Sequence, residues 1–264
     1  MSRVSSKLKV SRVSWNWMIA AGLAAALAAC ATEPTPEGTS VVQLLTANSL
    51  TPSELFNGQL TTAQLDATSA AAMGATDDAR RTLSYAVNCA LSSSQSVSFT
   101  VDGTAYTYVG EIGLQPAWTT GALSASDAAW ISACVFSRVN LTGTVVSISE
   151  RGGQPALATT PAEVANWDLE EGAFWGNAFV DLGAIAAFAC DGVDQSTDDA
   201  RGDLPVRQCA QPDGVAGSTT SPCGFSYAGP CTAVCSSADL YSGCSFQVGA
   251  ASANVITTFV LGAP

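Results

Sequence analysis

The sequence predicts an α+β fold in which helices pack on a small antiparallel sheet and a disulfide-rich, loop-dominated C-terminal region follows. Three observations predict this class. Apolar residues recur at helical spacing over residues 77–91, and apolar and polar residues alternate over residues 96–109. Six of the nine cysteines lie within residues 190–244. We therefore expect an α+β core over residues 41–189 and a Cys-rich region over residues 190–264 that packs on it.

Two well-capped helices are predicted in the core. The first spans about residues 77–91, with Thr76 as its N-cap and two acids in the first turn, where they complement the positive end of the helix. The second spans about residues 127–139, and Ser124 begins a Ser-x-x-Asp capping-box pattern in front of it. Residues 41–75 are also predicted to be helical.

A β-hairpin is predicted over residues 96–109, because Asp102-Gly103 suits a two-residue type I′ turn between two alternating segments. That register places five larger side chains on one face: Val97, Phe99, Val101, Tyr106 and Tyr108. Two further strands are predicted over residues 145–149 and 254–261. The strongly apolar residues 172–190 are predicted to be a buried core segment, because Asn177 and Asp181 argue against a membrane span.

A leader with a lipidation motif precedes the core. Residues 1–29 combine a basic start with a short apolar run, as secretory signals do. Leu27-Ala28-Ala29-Cys30 resembles the lipobox of bacterial lipoproteins, which implies cleavage before Cys30 and a diacylglycerol on its sulfur. Because Ala31 rather than Asp follows, the resemblance also implies an outer-membrane location. Residues 30–40 then form a lipidated, Pro-rich tether; an ordinary cleaved signal is the alternative.

The remaining cysteines predict four disulfides, because their number is even and the chain is predicted to be exported. They are Cys89, Cys134, Cys190, Cys209, Cys223, Cys231, Cys235 and Cys244. The simplest partition pairs Cys89 with Cys134 and closes the other six among themselves. The alternative is a metal site of four cysteines with Cys231-x₃-Cys235 as one half. We predict no metal and no cofactor.

Composition excludes several classes of function. Removal of the leader takes four of the ten basic residues and none of the 22 acids, so six arginines remain and the net charge is −16. Nucleic acid is therefore not an expected partner. The chain has no histidine, which excludes Ser-His-Asp and Cys-His catalysis and the usual catalytic zinc sites. The mature chain would also have no lysine, which excludes a Walker-type phosphate loop.

One segment combines carboxylates with aromatic rings and is the candidate ligand-binding site. Its candidate residues are Trp167, Glu170, Glu171, Phe174 and Trp175. Aromatic faces stack on sugars while acids bind hydroxyls or cleave glycosidic bonds, so one interpretation is a carbohydrate site. The other is a helix N-terminus with acids in its first turn and core aromatics behind them. No catalytic residue can be assigned.

A second acidic stretch lies at the start of the Cys-rich region. It contains Asp191, Asp194, Asp198, Asp199 and Asp203. A Ca²⁺ site is one interpretation, since that ion takes six to eight oxygen ligands. A solvated loop that pairs with Arg201 and Arg207 is the other, and it is favoured because the pattern lacks the glycine and final glutamate of an EF-hand loop.

Residues 89–244 resemble cysteine-rich lipoproteins of unknown function from myxobacterium-like bacteria. The resembling segments are Tyr85–Cys89, Trp130–Cys134, Gly172–Asn177, Ala189–Gly192 and Gly229–Cys231. The resemblance implies no activity. Together these observations predict a membrane-anchored, extracytoplasmic lipoprotein that acts as a non-enzymatic binding or structural module, with an envelope protein or a polysaccharide as partner. The alternative is a carboxylate-based, glycosidase-like hydrolase acting on polysaccharide.

Overall fold

The computed structural model describes residues 45–181, 183–194, 204, 207–236, 240–247 and 251–262. The predicted signal, Cys30 and the tether lie outside these residues. Within them, no helix is long and apolar enough to cross a membrane.

The described chain is an α+β structure, as predicted. The helices are α1 (Pro52–Phe56), α2 (Ala67–Met73), α3 (Asp77–Ala90), α4 (Ala125–Ser137), α5 (Pro161–Asn166) and α6 (Cys231–Val234). The strands are β1 (Leu45–Asn48), β2 (Ser96–Val101), β3 (Thr104–Val109), β4 (Val146–Arg151), β5 (Leu169–Asn177), β6 (Ala186–Asp191), β7 (Ser226–Pro230) and β8 (Ile256–Val260).

The strands form two sheets. A mixed, six-stranded sheet has the order β1-β4-β8-β5-β6-β7, in which β6 and β7 are parallel and every other pair is antiparallel. Strands β2 and β3 form a separate hairpin. The larger sheet is therefore more extensive than the small antiparallel sheet that the sequence predicts, because it recruits the C-terminal strand β8 to its centre.

The predicted hairpin is confirmed in its register. Val97 pairs with Tyr108, and Phe99 pairs with Tyr106, whose ring stacks on that of Phe99 at 5.6 Å. Residues 102 and 103 both have positive φ angles, 49° and 79°, as a type I′ turn requires. Helix α2 packs against β2 and covers part of the hairpin.

The two predicted long helices are confirmed together with their caps. The Thr76 hydroxyl accepts a hydrogen bond from the Ala79 amide, and Ser124 forms a complete capping box with Asp127. The disulfide Cys89–Cys134 joins these helices and closes a loop of 45 residues. The remaining pairs are Cys190–Cys231, Cys209–Cys223 and Cys235–Cys244, so the predicted partition of the cysteines is confirmed.

Two predicted helical segments are wrong. Residues 41–75 include strand β1 and only the short helices α1 and α2. Residues 169–177 are strand β5 rather than a helix N-terminus. Strand β5 lies between β8 and β6 and is covered on both faces, so its sequence has neither the alternation of a half-buried strand nor the spacing of an amphipathic helix.

The six-stranded sheet has two differently covered faces. On the helix face, α4 packs against Phe174 and Ile256 within the largest apolar cluster. On the opposite, cysteine face, Trp175 and Val255 pack in a smaller cluster with Cys190 and other disulfide-bonded cysteines. Because neighbouring residues of a strand point to opposite faces, β5 and β6 each contribute to both clusters.

Candidate functional site

The structure does not bring the five predicted ligand-binding side chains together. The rings of Trp167, Phe174 and Trp175 are buried, with exposed fractions of 8%, 0% and 3%. Glu170 lies on the cysteine face, whereas Glu171 lies on the helix face. The rings therefore contribute packing area to two interiors and offer no shared open face on which a sugar could stack.

A β-bulge separates the two glutamates. Glu170 pairs with Phe259 and Gly172 pairs with Thr258, so Glu171 is an extra residue in β5. Such a residue reverses the alternation locally and turns Glu171 toward the helix face. The bulge requires glycine at position 172, because a Cβ atom there would overlap the carbonyl oxygen of Cys190.

Glu171 is a fully buried carboxylate that is neutralised by a fully buried arginine. Its Oε2 atom accepts hydrogen bonds from Arg207 Nη2 and from Thr258 Oγ1, each at 2.7 Å. The same guanidinium donates to the backbone carbonyls of Ser137 and Val139 at the end of α4. Arg207 thus satisfies helix carbonyls that lack intrahelical partners and fastens that helix end to β5. Arg207 therefore pairs with Glu171 of β5, and residues 195–203 of the acidic stretch lie outside the described residues.

A second buried pair lies beside the first. Arg138 at the C-cap of α4 contacts Glu150 of β4 at 3.1 Å, and both side chains are buried. Arg138 also reaches the partly exposed Glu111 at 3.2 Å, and burial raises the pKa of Glu111 although Arg138 opposes that effect. Ser137 donates to Glu150. Charged side chains on the helix face therefore neutralise one another.

Two tyrosines donate to two carboxylates, and the pair Tyr241–Glu170 lies on the cysteine face. Tyr241 donates to Glu170 Oε1 at 2.6 Å, and Tyr227 donates to Asp191 Oδ1 at 2.5 Å. Burial raises the pKa of both phenols, and the hydrogen bonds to the carboxylates raise it further. Asp194 accepts from the Glu170 amide. Asp198, Asp199 and Asp203 of the predicted acidic stretch lie outside the described residues.

An open groove follows residues 59–62, between α1 and α2. One cavity of about 310 Å³ lies on the α2 side and is lined by Gln59, Thr61, Ser69, Ala72 and Met73. A second cavity of about 510 Å³ lies on the other side and is lined by residues 59–62 together with Phe179, Val180, Asp181 and Ala184. Because both cavities share Gln59 and Thr61, we treat them as two halves of one groove.

The polar side chains of the groove are available to a ligand. Gln59, Thr61 and Thr62 make no hydrogen bond through their side chains within the described part of the chain. An amide and two hydroxyls can each donate and accept hydrogen bonds. Among the described lining residues, Asp181 is the one charged side chain. The groove therefore suits a neutral ligand that both donates and accepts hydrogen bonds.

The loop that carries the groove is fixed to the core from beneath. Leu60 and Leu65 are buried, and the buried indole of Trp118 donates to the Ala63 carbonyl at 2.7 Å. The Leu65 amide donates to the carbonyl of Trp118, and the Leu123 amide donates to that of Thr62. These contacts fix the backbone of residues 59–62, whereas their polar side chains remain accessible to a ligand. Because the backbone is already ordered, binding costs less conformational entropy.

A third depression, of about 540 Å³, lies on the other side of α2 against the hairpin. Its polar lining consists of hydroxyl groups, those of Thr68, Ser98, Thr100, Tyr106 and Thr107. Its apolar lining includes Phe99, which is 4% exposed. Hydroxyl-lined concavities thus occur on both sides of α2.

Sequence reasoning missed the groove because its parts are distant in the chain. Residues 59–62 meet α2 and the residues Phe179, Val180, Asp181 and Ala184 only in the folded structure. The one local signal is a run of uncharged polar residues between buried leucines, and a solvated loop gives the same signal.

Comparisons with family models, with curated proteins and with solved structures find no match for this chain.

Proposed function

We propose that this protein is a lipid-anchored envelope protein whose folded region is a non-enzymatic module that binds a neutral, polyhydroxylated ligand, in particular a polysaccharide, in the groove along residues 59–62. The observation that carries this proposal is the set of unpaired polar side chains, Gln59, Thr61 and Thr62, between two adjoining cavities. Their combined size lies within the range of small-ligand sites, about 300–1,000 Å³.

The chemistry of the groove supports a saccharide more than an anion or a hydrophobic ligand. An anion would meet Asp181 and no described cationic side chain. A purely apolar ligand would leave the amide of Gln59 and the threonine hydroxyls without partners, which costs free energy when they lose water. A sugar offers hydroxyls to these groups, while Met73 and Phe179 provide apolar contacts for its ring carbons.

The placement of the acids supports binding rather than hydrolysis. Glycosidases generally use two carboxylates on either side of the scissile bond. Glu150 and Glu171 are buried against arginines, and Glu170 accepts from Tyr241. The described lining of the groove contains one carboxylate, that of Asp181.

The proposed anchor is a lipid on Cys30, the last residue of the lipobox. This lipid would hold the module at the outer membrane, so the membrane itself is a proposed partner. Four disulfides support an exported location, because such bonds persist in oxidising compartments. Ten residues separate Cys30 from position 41, and an extended chain of that length reaches about 33–36 Å.

The test is a thermal-shift screen of the mature lipoprotein in detergent against a set of neutral and charged polysaccharides. A ligand at 100 times its Kd adds about 2.7 kcal/mol of stability. For a domain of this size we expect a rise in Tm of roughly 5–10 °C. The Gln59→Ala/Thr61→Ala variant should lose the rise and keep its own Tm.

A matched control removes an amide and a hydroxyl elsewhere. Gln211 and Thr104 are polar positions outside the groove, so Gln211→Ala/Thr104→Ala should retain the rise. Binding that survives in the groove variant would contradict the site. For the anchor, Cys30→Ser should move the protein from the outer-membrane fraction to the soluble fraction, and retention in the membrane would contradict lipidation.

A further inference from the structure

Two disulfides on the cysteine face lie in contact. The Sγ atoms of Cys190 and Cys235, which belong to different disulfides, are 3.8 Å apart. The Sγ atoms of Cys190, Cys231 and Cys235 all lie within 4.8 Å of one another. Among the described residues, this is the one cluster of three cysteine sulfurs from two different disulfides. It places the disulfide Cys190–Cys231 in contact with the disulfide Cys235–Cys244.

The four sulfurs differ in their access to solvent. Cys190, Cys231 and Cys244 are fully buried, whereas Cys235 is partly exposed. Helix α6 is a single turn that holds Cys231 and Cys235 at its two ends, with the Cys235 amide donating to the Cys231 carbonyl at 3.0 Å. A thiol from outside the protein can therefore approach Cys235 first.

We propose that Cys235–Cys244 is an exchange site for an external dithiol and that it passes the reducing equivalents to the buried Cys190–Cys231 disulfide. The partner is defined by its chemistry, a pair of neighbouring thiols such as a dithiol oxidoreductase presents. Exchange proceeds through attack of a thiolate on a disulfide sulfur.

The first step reduces the exposed disulfide. A thiolate of the dithiol attacks Cys235 Sγ, the bond to Cys244 breaks, and the Cys244 sulfur leaves as a thiolate that takes up a proton. The second thiol of the partner then attacks the mixed disulfide. The partner becomes a disulfide, having lost two electrons, and Cys235 is released as a thiolate.

The second step transfers the disulfide inside the protein. The Cys235 thiolate attacks Cys190 Sγ across the 3.8 Å contact, the Cys190–Cys231 bond breaks, and Cys231 leaves as a thiolate that is protonated. The product contains a Cys190–Cys235 disulfide and thiols on Cys231 and Cys244. No electrons are gained or lost in this second step.

The wild-type protein tests the relay directly. We would reduce it briefly with substoichiometric dithiothreitol, alkylate the free thiols and map bonds and labels by peptide mass spectrometry. We expect a Cys190–Cys235 bond with labels on Cys231 and Cys244. Labels on Cys235 and Cys244 with Cys190–Cys231 intact would overturn the proposal.

Two single variants of the same disulfide provide matched controls. Cys244→Ser leaves a thiol on Cys235, beside Cys190, and we expect part of the label to move to Cys231. Cys235→Ser leaves the thiol on Cys244, and we expect the label to stay there. The label on Cys231 should be at least tenfold higher in the first variant, and equal labelling in both would overturn the relay. Cys223→Ser, which leaves a thiol on Cys209 away from the cluster, should show no exchange.

Discussion

On its helix face, the six-stranded sheet is covered by α4 and by buried Arg–Glu pairs. On its cysteine face it is covered by short segments, two disulfides and the hydrogen bond from Tyr241 to Glu170. The helix face belongs to the larger apolar cluster, and the pairs Arg138–Glu150 and Arg207–Glu171 on it are fully buried. The cysteine face has the smaller cluster, so its two disulfides join a larger share of the buried side chains than the two disulfides of the larger cluster do. Small cores of this kind are often stabilised by disulfides.

Substitutions on the two faces should therefore lower the free energy of unfolding by different amounts. Loss of a charged partner on the helix face should cost more than loss of a hydrogen bond on the cysteine face, because the remaining charge has no access to water. Loss of a disulfide should fall between them, since its effect depends on the length of the loop that it closes.

The largest expected effect follows substitution of Arg207. Arg207→Met leaves the buried Glu171 carboxylate with Thr258 as its remaining hydrogen-bond donor. We expect a loss of about 3–5 kcal/mol in the free energy of unfolding, measured by urea denaturation. The double variant Arg207→Met/Glu171→Gln removes the orphaned charge and should recover part of that loss. A loss below about 1 kcal/mol in the single variant would show that the pair is not desolvated.

An intermediate effect is expected for the disulfide Cys235–Cys244. The bond closes a loop of nine residues, for which the chain-entropy model gives about 2.6 kcal/mol. The double variant Cys235→Ala/Cys244→Ala should therefore unfold at lower urea concentration while the slope of the transition changes little. The matched variant Cys89→Ala/Cys134→Ala opens a loop of 45 residues and should lose about 4 kcal/mol. The reverse order would mean that native packing, rather than loop length, sets both losses.

The smallest effect is expected for Tyr241→Phe, which removes one hydrogen bond to Glu170 and should cost about 1–2 kcal/mol at neutral pH. The pKa of Tyr241 is raised in the folded state, so the folded protein keeps the phenol proton where the unfolded chain has lost it. The stabilisation is complete below about pH 10 and is lost as the pH rises above that value.

The pH dependence of stability checks this sign. The Tm of the wild-type protein should fall above about pH 10, and the fall should be shallower in Tyr241→Phe. Tyr227→Phe should behave in the same way, because Tyr227 donates to Asp191. If the Tm falls equally with pH in the wild type and in both variants, the prediction that folding raises the pKa of these phenols is wrong.

Local chemistry made much of the fold predictable. The Asp102-Gly103 turn sets the register of the hairpin, and Thr76 and Ser124 mark the starts of the long helices. Cysteine spacing was sufficient for the pairing of Cys89 with Cys134, because the other six cysteines are crowded together. Each of these features depends on a few neighbouring residues or on a simple count.

The parts that could not be predicted depend on distant contacts. Strand β5 receives its neighbours from β6 and from β8, which lies 79 or more residues beyond its C-terminal end. The bulge that turns Glu171 toward Arg207 depends on the pairing with β8, and nothing in the local sequence reveals it. The groove also forms only when residues 59–62 meet α2 and residues that follow β5, so the local sequence does not reveal it.

The burial of the arginines affects the resistance of the folded protein to proteolysis. Six arginines and no lysine follow residue 29, so these arginines are the sites in that part of the chain at which a trypsin-like enzyme could cut. Arg138, Arg151 and Arg207 are buried, and Arg80 and Arg81 lie within α3, whose hydrogen-bonded backbone cannot extend into a protease cleft without local unfolding. Arg201 lies outside the described residues. The two arginines that neutralise buried acids, Arg138 and Arg207, are therefore also withdrawn from tryptic attack while the protein stays folded.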